Sequence, residues 1–170
     1  MKFLEHDIVK GWDGENNSGM VQISECLNDI MAPKCTVLLI GTGATIEQYD
    51  DWPQVLQSVW GCSITYLEIF ESYIELFKDQ KYPIIKGDVR EIDKILEKSY
   101  DVILWLQGPE HVSHEELLPT LDALFSVCNN GIMCTCPWGS FYDYQEDINN
   151  NKYEIHIQKS TGILIFESFS

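Results

Sequence analysis

Val37-Leu38-Leu39-Ile40-Gly41-Thr42-Gly43-Ala44-Thr45 is the stretch that decides the fold. Its four apolar residues begin β-branched and read as a fully buried parallel strand. The Gly41-Thr42-Gly43 turn lets the backbone reverse tightly and lets a ligand approach the main chain. A helix starting just beyond it aims free N–H groups and a positive dipole end at whatever sits over the turn. That is a cradle for a nucleotide-type cofactor. A two-glycine turn after an apolar run is also a plain strand-to-helix connection, so the turn alone does not choose between them.

Outward from this turn the chain alternates. Upstream, Met20, Ile23, Leu27, Ile30 and Met31 recur at helical spacing behind Ser18 as N-cap, and Pro33 ends that helix before the strand over 35–40. Residues 1–17 lack strong periodicity and read as an irregular arm or short helix anchored by Trp12. Downstream, 46–60 is a helical crossover interrupted at Pro53. A second strand over 63–67 ends at Glu68, and Phe70, Tyr73, Ile74 and Phe77 give the following helix its apolar stripe. A short third strand over 83–86 runs into Gly87-Asp88, and Ile92, Ile95 and Leu96 mark another helix. The fourth strand, 100–106, opens on the loop 107–111.

Ser113-His114-Glu115-Glu116 has the form of a capping box. It starts a helix through Leu117, Leu121, Leu124, Phe125 and Cys128 that Pro119 can restart. Asn129-Asn130-Gly131 reads as a C-cap turn before a fifth strand over 132–136. Residues 137–152 form a polar and aromatic loop. The last two strands, 153–157 and 163–167, are joined by so few residues that only an antiparallel hairpin is open to them. The expected fold is therefore α/β: a doubly wound, mostly parallel seven-stranded sheet with an antiparallel C-terminal hairpin, helices on both faces, and a single domain over 1–170. Ligands on such sheets sit beyond the carboxyl ends of the strands, at the switch point.

Charge narrows the partners. The 27 acidic and 11 basic side chains leave a net charge of −16, and Lys and Arg are nowhere clustered. Such a field repels polyanions, so nucleic acid and anionic membranes are poor partners, whereas a small neutral or cationic ligand suits it. The first residues lack the apolar core of a signal peptide, and no run approaches membrane-spanning length. None of the six cysteines forms a C-x-x-C pair, so they read as buried thiols of a cytoplasmic protein, with no metal site expected.

Four features fall at the carboxyl ends of successive strands: the glycine turn, Glu68, Asp88 and the loop 107–111. Glu68 lies 25 positions past Gly43, near the spacing of about 20 at which a carboxylate grips ribose hydroxyls. It also suits a helix-start charge favoured by the dipole. Asp88 suits an adenine amino group, and equally a turn or N-cap.

These stretches together resemble the class I S-adenosylmethionine-dependent methyltransferases, from about residue 20 to the C-terminus. Residues 37–44 resemble the family's first motif, Glu68 its acidic ribose ligand, Gly87-Asp88-Val89 the motif beside adenine, 101–106 the fourth-strand motif, and Asn130-Gly131-Ile132 the turn into the fifth strand. The terminal hairpin matches the reversed strand with which that family closes its sheet. The resemblance implies S-adenosyl-L-methionine as cofactor and S-adenosyl-L-homocysteine as product. It also implies cofactor binding by Gly41, Thr42, Gly43, Ala44, Glu68, Ile69, Asp88, Val89, Leu106 and Gln107. Two positions depart from the pattern: Leu39 stands where the family carries an acid, and Thr45 where it carries a third glycine.

Methyl transfer needs a positioned nucleophile and, where the acceptor loses a proton, a base. His111 is the candidate base and Glu110 its orienting or acceptor-holding partner, the pair otherwise belonging to a helix start. His114 reads as solvated and His156 as a satisfied core histidine. Trp138 suits a pocket wall or a packing anchor. The expected activity is that of a transferase acting on a small-molecule or protein acceptor, with a homodimer compatible. A non-catalytic cofactor-binding or regulatory module on the same fold is the alternative that Leu39 suggests. A nicotinamide-dependent oxidoreductase has only the glycine turn in its favour.

Overall fold

The structure, a computed structural model, describes residues 2–12, 18–135, 153–158 and 163–168. A 3-10 turn over Phe3–Glu5 leads into helices α1 (Asp7–Trp12) and α2 (Ser18–Ile30). Strand and helix then alternate through β1 (Thr36–Ile40), α3 (Ile46–Trp60), β2 (Ser63–Glu68), α4 (Glu71–Phe77), β3 (Ile84–Lys86), α5 (Ile92–Ile95), β4 (Tyr100–Leu106), α6 (His114–Ser126) and β5 (Cys128–Thr135). The strands β6 (Tyr153–Gln158) and β7 (Ile163–Ser168) follow. Among the described residues these strands form one sheet in the order β3-β2-β1-β4-β5-β7-β6. The first five pair in parallel, as the alternation predicts, while β7 runs antiparallel to β5 and β6 antiparallel to β7. The chain steps outward from β1 to β3 and then returns to β4 on the other side of β1, which puts the switch point between β1 and β4.

Two apolar layers sandwich the parallel strands. Val37, Leu39, Tyr66, Val102, Leu104 and Met133 share one layer with Leu27 and Ile30 of α2 and Val55 and Leu56 of α3. The alternate residues Leu38, Leu67, Ile103, Trp105 and Ile132 share the other with Ile92, Leu117, Leu121 and Leu124. Period-two alternation with both faces covered explains why these strands read as unbroken apolar runs.

Several local expectations are corrected by tertiary contacts. Helix α3 is continuous through Pro53, which is buried. Proline cannot donate to the carbonyl four residues back, and that carbonyl, of Tyr49, instead accepts the Tyr66 hydroxyl at 2.6 Å. Helix α6 likewise continues across Pro119. Its N-cap Ser113 makes no capping bond to the backbone; its hydroxyl donates to Glu116 Oε2 at 2.7 Å. Asn129, Asn130 and Gly131 lie within β5, where a shift in register between Tyr100 and Val102 absorbs them, instead of forming a turn before it. Phe70 is 60% exposed and so is no part of the apolar stripe of α4, which buries Phe77. In the N-terminal arm Phe3 and Val9 are buried, and Phe3 packs among Trp12, Trp52 and Trp60, so Trp12 is not its one anchor.

At the amino edge, Asp101 clasps three strands. Its Oδ2 accepts the Thr36 N–H at 2.8 Å and the Thr36 hydroxyl at 3.0 Å, and its Oδ1 accepts from Asn129 Nδ2 at 3.1 Å. The Thr36 N–H first, with Asn129 and the Thr36 hydroxyl, holds this carboxyl below the ordinary aspartate range. The described cysteines form no disulfide, and burial pushes the Cys62 thiol up to about 12. No helix among the described residues is long and apolar enough to cross a membrane.

Candidate cofactor crevice

Register brings the carboxyl ends into one line. Ile40 pairs with Leu67 and Trp105, Glu68 with Lys86, and Leu106 with Thr135. The segments that leave these ends form a rim in the order Asp88, Glu68, Gly41, Gln107, Thr135. All ten residues carried over as cofactor ligands lie on this edge or just beyond it, flanking the switch point.

The glycine turn divides into an open half and a closed half. Gly41 has φ +88°, and nothing lies within 4 Å of where a side chain would begin. That is a conformation and a space reserved for close approach. Gly43 has φ +72°, and a Cβ there would stand 2.5 Å from Gln48 Cβ. Gln48 Oε1 accepts the N–H groups of Ala44 at 2.7 Å and Thr45 at 3.2 Å, while the Thr45 hydroxyl accepts the Gln48 N–H at 3.3 Å. This reciprocal capping box makes Thr45 the N-cap of α3, at an ordinary extended φ of −125°. A third glycine is not required here, and the N–H groups of Ala44, Thr45 and Gln48 are already satisfied. Leu39, at the position of the family's acid, is packed in the apolar layer beneath the turn.

Glu68 is buried, 4% exposed, and serves its own chain. Its Oε2 accepts the Thr42 N–H at 2.9 Å and lies 3.0 Å from the Thr42 hydroxyl. Its Oε1 accepts the N–H groups of Ile69 at 2.8 Å and Phe70 at 2.9 Å. Four donors match the roughly four lone-pair sites of a carboxylate. Of the two roles the sequence left open, the fastening of the turn and of the start of α4 is what this arrangement displays. One of the four bonds is exchangeable, because the Thr42 hydroxyl also lies 3.0 Å from the Gly43 carbonyl and has one hydrogen to give.

Asp88 caps the 3-10 turn Val89–Glu91, accepting the Arg90 N–H at 2.9 Å. The Arg90 guanidinium lies against the same carboxylate, with Nε 3.0 Å from each oxygen, and reaches Glu116 Oε1 at 2.9 Å. Arg90 therefore holds the Asp88 carboxyl below its usual range; the Ser113 hydroxyl, with Arg90, does the same for Glu116. This chain of four side chains ties the loop after β3 to the first turn of α6. The capping-box reading already joined Ser113 to Glu116, but sequence reasoning missed Arg90, because no periodicity links it to Glu116 so far along the chain.

On the far side of the switch point Gln107 adopts a left-handed φ of +50°, its N–H donating to the Thr135 hydroxyl at 2.9 Å. His111 is exposed, closing the 3-10 turn Pro109–His111, with its N–H on the Gly108 carbonyl at 2.9 Å. The side chains of Glu110, His114 and His156 lie outside the described part, as do residues 136–152, which include Trp138 and the loop expected over 137–152. Exposed apolar groups gather on the acid side: Ile46 opens α3, and Ile69 and Phe70 leave β2. They offer the edge a surface for a flat ring. A separate cavity of about 340 Å³, lined by Ile74, Lys78, Tyr82 and Ile84 among others, lies at the start of β3, on the opposite edge from the acids.

The open half has room for an adenosine-bearing cofactor: the Cβ position of Gly41 is empty, the exposed Ile69 and half-buried Val89 lie beside it, and Glu68 and Asp88 sit on neighbouring strand ends. In the closed half Gln48 seals the turn, and the residue beneath it is the apolar Leu39, where the family carries an acid.

No protein-family model and no curated protein sequence matches the chain. Solved structures do. A sugar N-methyltransferase from a Streptoalloteichus species superposes with a TM-score of 0.66 at 9% identity, over 96% of this chain and 92% of its own. The magnesium protoporphyrin IX methyltransferase of Synechocystis, solved with SAM bound, gives a TM-score of 0.60 at 17% identity, over 99% and 85%. A SAM-dependent methyltransferase from Archaeoglobus fulgidus gives 0.58 at 18% identity, over 81% and 70%. The fold is that of the class I S-adenosylmethionine-dependent methyltransferases.

Proposed function

We propose that the chain is an S-adenosyl-L-methionine-dependent methyltransferase acting on a small-molecule or protein acceptor and releasing S-adenosyl-L-homocysteine. The observation that carries this is the row of Gly41, Glu68 and Asp88 on adjacent strand ends beside the switch point, in a fold whose solved relatives include methyltransferases. When bound, the cofactor supplies an electrophilic methyl group on a sulfonium. The chain's part is then to hold and to exclude water. Gly41 admits the cofactor to the backbone, Ile69 and Val89 flank its ring, Asp88 accepts from its amino group and Glu68 from its sugar. Gln107, held in its turn by Thr135, borders the methyl-facing side. His111 would take the acceptor's proton, with Glu110 either orienting it or holding a cationic acceptor. The net charge of −16 favours a neutral or cationic acceptor over a nucleic acid, and buried thiols suit a cytoplasmic single-domain enzyme.

Leu39 and the Gln48 seal favour a second reading, a binding or regulatory module without turnover. Calorimetry with S-adenosylmethionine, S-adenosylhomocysteine and NAD separates these readings. Saturable binding of the two sulfur compounds, lost in Glu68→Ala, is expected, whereas preference for NAD would sink both readings. Methyl transfer onto a panel of small acceptors, lost in His111→Ala with cofactor binding kept, distinguishes enzyme from module.

A further inference from the structure

We propose that Thr42 is a positioning residue whose hydroxyl moves between two acceptors and so sets how strongly Glu68 receives a sugar hydroxyl; the proposal rests on the cofactor reading above. With all four donors in place, the Glu68 carboxylate has no lone pair left for a ligand. Three of those donors are backbone N–H groups, fixed by the turn and by the start of α4. The fourth is the Thr42 hydroxyl, which rotates, and the Gly43 carbonyl waits at the same 3.0 Å. Thr42 is 1% exposed, so within the turn its hydroxyl chooses between these two protein acceptors. When a ligand hydroxyl arrives at Oε2, the Thr42 hydroxyl turns to Gly43 and its place on the carboxylate passes to the ligand. No charged group is left bare and no backbone bond breaks.

The exchange has a cost that can be read. A hydrogen bond to a carboxylate is roughly twice as strong as one to a neutral carbonyl, so the ligand hydroxyl gains only the difference. Removing the Thr42 hydroxyl leaves one lone pair of Glu68 vacant beforehand, and the ligand hydroxyl then gains the whole bond.

The test compares S-adenosylhomocysteine with its 2′-deoxy and 3′-deoxy analogues, by calorimetry, on the wild-type chain, Thr42→Ser, Thr42→Val and Thr42→Ala. The last two both lack the hydroxyl, so either folded variant suffices. In the wild type the more affected analogue binds about tenfold more weakly than the parent compound, as expected when the exchange leaves roughly half of a hydrogen bond to a charged group. That ratio is kept in Thr42→Ser and widens by roughly fivefold in Thr42→Val or Thr42→Ala. A general loss of stability would weaken all three ligands alike and leave the ratio unmoved. An equal ratio in every variant overturns the exchange, and so does a narrower one. Deoxy analogues that bind the wild type as well as the parent overturn it while the cofactor reading stands. Absence of binding by all three overturns both.

Discussion

Thr42 donates to one oxygen of Glu68 from two directions, its backbone N–H at 2.9 Å and its hydroxyl at 3.0 Å, across the gap between the ends of β1 and β2. With Ile69 and Phe70 on the other oxygen, the carboxylate fastens the glycine turn to the start of α4. Its structural duty can therefore be measured without any ligand.

In Glu68→Gln one acceptor oxygen becomes an NH2 group. Whichever way the amide lies, its hydrogens face a backbone N–H, of Thr42 or of Ile69 and Phe70. Unmatched buried donors cost about 1–3 kcal/mol, and a chain of this size loses about 2–4 °C of melting temperature per kcal/mol. The melting temperature of the ligand-free variant should fall by roughly 4–8 °C for a mid-range cost. A thermal melt that superposes on the wild type would contradict the fastening role.

Tyr66→Phe should cost about 1–3 kcal/mol in urea unfolding, because the Tyr49 carbonyl loses the hydroxyl that replaces the missing Pro53 donor. The same substitution in a Pro53→Ala background should cost less by about 1 kcal/mol, since the alanine brings back an N–H four residues beyond Tyr49. Strict additivity of the two changes would refute this compensation.

Stability should drop on the acid side through Asp101. Its folded pKa is depressed, so the folded chain holds this proton less readily than the unfolded one. The contribution is complete above the ordinary aspartate value of about 3.9 and is lost as pH falls through the lower folded value. Urea midpoints measured between about pH 2 and 5 should decline less steeply in Asp101→Asn than in the wild type. Asp88 and Glu116 shift in the same direction and add to the same acid-side loss.

Arg90→Met should return the Asp88 carboxyl towards the ordinary aspartate range, followed by NMR titration of its side-chain carbon. The cost in stability should stay below about 1 kcal/mol, because the pair is solvent-exposed. An unchanged Asp88 titration would mean the guanidinium does not hold that carboxylate.

Much of this was legible from local pattern. The run Tyr100–Leu106 coincides with β4, and the apolar runs that end in Gly41, Glu68 and Asp88 arrive side by side as their alternation with helices requires. Pro53 misled because a breaker acts only where nothing else satisfies the released carbonyl, and Tyr66, distant in sequence, does so at Tyr49. Asn129-Asn130-Gly131 has turn chemistry, yet pairing with β4 pulls it into a strand with a bulge. The position of Glu68 on the rim could be read from its place after an apolar run. Its four donors could not, because three are backbone groups whose directions exist only once the turn and α4 have formed. Thr45 departs from the expected glycine for a similar reason: Gln48, one helical turn away, makes a threonine the better residue there.

The clasp of Asp101 on Thr36 and Asn129 ties three strands at one rim of the sheet, with no part taken by the loops that leave the opposite rim after β2, β3 and β4. A substitution at the exposed His111 can therefore change what the far rim presents to a ligand without loosening that clasp, whereas Gly108 beside it is fixed, since a Cβ there would stand 1.9 Å from Trp105 Nε1.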